Sequence, residues 1–147
     1  MCLGKAAAVS VDYHAIPLKP DPPFAIDGLL GEWQALPGSW PLNSVDRATY
    51  NKAKWKYATD LSAKVWFAWR QENLYVAAEV TDDKFFQTQR GRGMYLGDHL
   101  ELNVDTTPEA DKQRQTFGEG QFVIALSPGN FQQTGDAFSD IGPEAFV

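Results

Sequence analysis

Apolar and polar residues alternate along two neighbouring stretches in the middle of the chain. In SAKVWFAWR, Val65, Phe67 and Trp69 alternate with Lys64, Trp66 and Arg70. In LYVAAEVTDD, Leu74, Val76, Ala78 and Val80 alternate with Tyr75, Ala77, Glu79 and Thr81. Successive side chains of a strand point to opposite faces, so each stretch is expected to be a strand with one inward, apolar face. The connection Gln71-Glu72-Asn73 is short and polar, which makes the pair a β-hairpin. A third alternating run is YLGDHLELNVD, where Leu100, Leu102 and Val104 face in and His99, Glu101 and Asn103 face out. In GQFVIALSPGN, Phe122, Ile124 and Leu126 form the inward set, and FQQTGDAF is read as one more short strand.

Turn chemistry separates these runs. Residues 1–23 contain Pro17, Pro20, Pro22 and Pro23, which fix φ and remove donors, so this segment reads as an extended arm or linker. Asp27-Gly28 marks a turn, and Trp33 is the expected buried anchor of the short run that follows. PGSWPLN breaks that run, and residues 43–61 read as a long loop or irregular strand. Asp82 to Gly97 is a loop carrying KFFQTQRGRG, and DTTPEADKQRQTFGEG is a polar, turn-rich connection. No long amphipathic helix and no repeat interrupts the series. The expected fold is an all-β antiparallel β-sandwich, jelly-roll-like in type.

Composition narrows the function classes. The chain has 147 residues, enough for one core, and no apolar run long enough for a membrane span. A formal charge of −6 provides no basic footprint for nucleic acid. It suits a neutral ligand or a cation, and weighs against acidic polymers. Cys2 is the single cysteine, so no internal disulfide and no cysteine-based zinc site can form. It reads either as an incidental residue or as the lipidated cysteine of a lipoprotein.

The outward faces hold the chemistry. Trp66 and Tyr75 on the hairpin, Tyr95 before the third strand, and His99, Glu101 and Asn103 along it combine rings with hydrogen-bonding groups. Sugars call for that mixture, because their C–H faces pack on rings and their hydroxyls bond carboxylates and amides. The alternative is that these side chains are simply solvated or covered by loops. Enzyme readings are weaker. Glu79 and Glu101 are a conceivable acid–base pair, but there is no nucleophile elbow and no glycine-rich loop before a helix. Asp82, Asp83 and Asp98 fall at strand ends and are hard-oxygen groups suited to a structural Ca2+, though solvated turns use the same residues.

IDGLLGEW, AKVWFAWRQENLYVAAEVTDD, YLGDHLELNVD and GQFVIAL, in that order, resemble the family 9 carbohydrate-binding modules (CBM9-like) and their DOMON-like relatives, over about residues 24–130. The resemblance implies a β-sandwich over 24–147 that acts as a non-catalytic accessory module of secreted or surface proteins, with an extracellular, periplasmic or cell-surface location. It implies that a sugar is held by Tyr95 and Glu101, with His99, Asn103, Trp66 and Asp98 around it. Tyr95 falls where sugar-binding members place the first of two clamping tryptophans. Val123 stands where they place a basic residue, and the second tryptophan falls beyond residue 147. The domain is therefore expected to lack its last strands, with an open edge that another chain could complete. Two alternatives come with the same resemblance. One is a haem-binding electron-transfer domain, for which Met94 and His99 are ligands by type. The other is a structural surface-assembly domain without a small ligand.

Overall fold

The computed structural model describes residues 14–49, 51–107, 116–130 and 141–147. The protein is nearly all β, with two antiparallel three-stranded sheets and almost no helix, as expected of the β-sandwich class. It divides into two compact units, residues 1–83 and 84–147. The segment FQQTGDAF and Cys2 lie outside the described residues.

The first unit is built on the expected hairpin. Strands β2 (Leu61–Arg70) and β3 (Asn73–Asp82) pair in full register from Leu61 opposite Asp82 to Arg70 opposite Asn73. Only Gln71 and Glu72 are left to turn the chain. Gln71 takes φ = 53°, the sign that primed two-residue turns require at their first central position. β1 (Trp40–Leu42) pairs with β2 at Ala63–Val65, a strand hidden in the sequence by Pro41. Proline is tolerated there because β1 lies at the sheet edge. The arm pairs with the other half of that β2 edge: Lys19 N–H donates to Trp69 O at 2.9 Å and Trp69 N–H to Pro17 O at 3.0 Å.

The core of this unit corrects one assignment of faces. Trp66 (3% exposed) and Ala68 are buried against Phe24 and Trp33, with Leu30, Leu36, Tyr75 and Ala77 around them. Phe24 and Trp33 stack at 3.8 Å, and Phe24 meets Tyr75 edge-on at 5.3 Å. Lys19 caps the cluster: its ammonium sits 4.7 Å from the Phe24 ring centroid and donates to the carbonyls of Pro20 and Pro22. The face read as inward carries buried Val65 but leaves Leu61, Trp69, Leu74 and Val80 about half exposed. The physical reason is that residues 65–69 are apolar on both faces, so alternation could not say which face the 24–36 segment would cover.

The second unit holds β4 (Leu100–Asp105), β5 (Gln121–Ser127) and β6 (Glu144–Phe146), with β5 in the middle. β4 alternates as the sequence predicts: Leu100, Leu102 and Val104 are half-buried, and Glu101, Asn103 and Asp105 are exposed. Register places Leu100 opposite Leu126, Leu102 opposite Ile124 and Val104 opposite Phe122, so these apolar residues share a face, but Phe122 and Leu126, read as inward, are exposed, while Ala125 and Ser127 on the other face of β5 are buried. On the opposite face Glu101 pairs across with Ala125, and Ala125 in turn with Phe146. A 3-10 helix at Gly91–Leu96 precedes β4.

Candidate functional site

The face of the second sheet that carries Glu101 opens into a groove of about 690 Å³. Its wall on one side comes from the 3-10 helix, which contributes Arg92, Met94 and Tyr95. Its floor is Glu101, Gln121, Val123 and Ala125, and Phe117, Phe122, Phe146 and Val147 add to the lining. Tyr95 is 63% exposed, Phe117 64% and Phe122 45%, so three large rings of the lining are exposed to solvent. Exposed rings gathered around a polar group on a concave surface mark a binding site far better than scattered ones do.

The helix is held by a buried amide. Gln87 has no exposed surface, and its Nε2 donates to Met94 O and Asp98 O, both at 3.1 Å, while its Oε1 accepts from Gln89 N–H at 2.9 Å. Asp98 N–H donates to Phe86 O at 2.7 Å, and the Asp98 carboxylate accepts from Phe86 N–H. These bonds close the loop that delivers Tyr95 to the groove. A Cβ at Gly97 would stand 2.5 Å from Gln87 Oε1, so glycine is needed for the amide to fit.

Glu101 is oriented by its own strand. Asn103 Nδ2 donates to Oε1 at 3.1 Å, and His99 Nε2 lies 3.8 Å from Oε2. His99 Nδ1 is 2.9 Å from Gly97 O, so both ring nitrogens face partners. The arrangement follows from period 2, since residues 99, 101 and 103 project on one face.

The expected site residues therefore separate. Tyr95 and Glu101 line one groove, with His99 and Asn103 flanking the carboxylate. Asp98 is engaged with the Phe86 backbone and is not among the groove's lining residues. Trp66 is not an exposed stacking ring: it is core in the first unit, as described above. Met94, the other haem candidate, is buried, and its carbonyl accepts from Gln87 and from Gly97 N–H. Asp82 ends β3, and Asp83 N–H donates to Asp60 O at 3.1 Å. Among the described residues, no group of three or more His, Cys, Asp or Glu side chains gathers to hold a metal ion.

Several lining residues were not placed at the site by the sequence, Phe117, Arg92 and Phe146 among them. Phe117 is a lone ring in a polar connection, a signal that was present in the sequence. Arg92 lies in a loop with no periodicity to orient it. Phe146 reaches the groove only because β6 pairs with β5.

An all-β domain with an exposed, ring-lined groove and one carboxylate on its floor has the make-up of a β-rich binding domain. Residues 33–139 match the family model described as carbohydrate family 9 binding domain-like, and the chain belongs to that family. Domains of this kind bind carbohydrate and are typically non-catalytic. No curated protein and no solved structure matches the chain. No helix among the described residues is long and apolar enough to cross a membrane.

Proposed function

We propose that the protein is a non-catalytic carbohydrate-binding module that holds a sugar in the groove of its second unit. One observation carries the reading: Tyr95 and Glu101, which the family motif pairs, line the same open groove with the Tyr95 ring in solvent. Tyr95 and Phe117 supply apolar faces for the sugar's C–H groups. Glu101 accepts hydroxyl hydrogen bonds, oriented by Asn103 and His99. Glycans are met mainly outside the cytoplasm, so the reading carries with it a role at the cell surface or in secretion.

Isothermal calorimetry against a panel of mono- and oligosaccharides tests it. Glu101→Ala removes a charged acceptor worth about 1.5–3 kcal/mol, so affinity should fall about 10- to 100-fold. Tyr95→Ala should cost about tenfold, with circular dichroism unchanged because the ring is exposed. Binding that survives both substitutions places the site elsewhere.

A further inference from the structure

Two charged side chains line the groove, Arg92 and Glu101, and they are not equally satisfied. Both Glu101 oxygens face close sequence neighbours: Asn103 Nδ2 at 3.1 Å and His99 Nε2, just ahead of β4, at 3.8 Å. Arg92 has no carboxylate partner among the described residues. Its guanidinium carbon sits 5.7 Å from the centroid of the Phe146 ring, within the range of a cation–π contact. Such a contact restrains the arginine's position while leaving its N–H donors available to a ligand. The groove thus offers a pre-positioned cation with no carboxylate partner among the described residues, beside apolar rings, although the protein as a whole carries a formal charge of −6.

We propose that Arg92 makes the groove selective for acidic sugars, with the guanidinium pairing with a uronic acid carboxylate while the sugar ring packs on the aromatic wall. The proposal rests on the carbohydrate reading above and adds the ligand's chemical class. Guanidinium is suited to this task, because its fork of donors matches a carboxylate's two oxygens and gives a charge-assisted, bidentate pair. Glu101 is then left for hydroxyls on the same sugar, where a carboxylate acceptor is useful.

The test compares uronic acid glycosides and oligouronates with their neutral counterparts, which differ only in carrying a C6 alcohol. Calorimetry at low and moderate salt is run on the full chain and on the Arg92→Ala and Arg92→Lys variants. The expected result is that the acid binds at least about tenfold more tightly than its neutral partner, with the gap narrowing as salt rises. Arg92→Ala should erase the gap, weakening the acid about tenfold more than its neutral partner. Arg92→Lys should recover part of it, since charge remains but the fork is lost. If neutral sugars bind as well as acids, or Arg92→Ala weakens both equally, the selectivity is overturned while the carbohydrate reading stands. If no sugar of either kind binds, the carbohydrate reading falls and the selectivity falls with it.

Discussion

At the scale of single residues, the groove depends on groups that never touch it. Gln87 is fully buried and spends all its polar capacity on Met94, Asp98 and Gln89, tying both ends of the 3-10 helix. A buried amide is tolerated because every donor and its oxygen are satisfied. Gly97 makes room for it: a Cβ there would also come within 2.8 Å of Phe86 O, a backbone atom that cannot swing aside. Gly97→Ala should therefore destabilise the protein by about 1–3 kcal/mol, read from urea denaturation midpoints. It should weaken ligand binding as well, because Tyr95 is two residues from the displaced segment. An alanine variant with unchanged stability would show that the loop yields without strain.

At the scale of elements, the hairpin and β4 illustrate different degrees of self-sufficiency. The β2–β3 turn is specified by its length, and Gln71 accepts a positive φ of 53° to make it. A left-handed conformation costs an L-residue about 1–2 kcal/mol, and glycine avoids most of that cost. Gln71→Gly should thus gain about 0.5–1 kcal/mol after glycine's greater loss of chain entropy, visible as a raised midpoint in chemical denaturation. A loss of stability would mean that the Gln71 side chain contributes contacts that outweigh the turn strain. β4, by contrast, sets Glu101 and Asn103 on one face through alternation alone. Its groove needs β5, β6 and the 3-10 helix, all distant in sequence.

At the scale of the whole molecule, the two units divide the aromatic residues unevenly. All five tryptophans fall between residues 33 and 69, in the first unit, and the groove's lining contains Tyr and Phe but no Trp. Ligand binding in the groove should therefore give calorimetric heat with little change in tryptophan emission. A large tryptophan quench on saturation with sugar would point to a site in the first unit. The match to the carbohydrate-binding family spans both units, over residues 33–139, whereas every residue of the groove belongs to the second.

The sequence by itself determined the all-β class, the hairpin, the faces of β4 and the pairing of Tyr95 with Glu101 as residues to test. These follow from period-2 alternation and short-range turn chemistry, which act within a few residues. Tertiary structure alone decided that Trp66 is core, because β2 is apolar on both faces and only the packed 24–36 segment chooses between them. It alone brought Phe117, Arg92 and Phe146 to the groove, because a site's walls are assembled by strand pairing and loop closure between segments far apart in the chain. Local pattern fixes which way a side chain points, and only long-range packing fixes what it meets there.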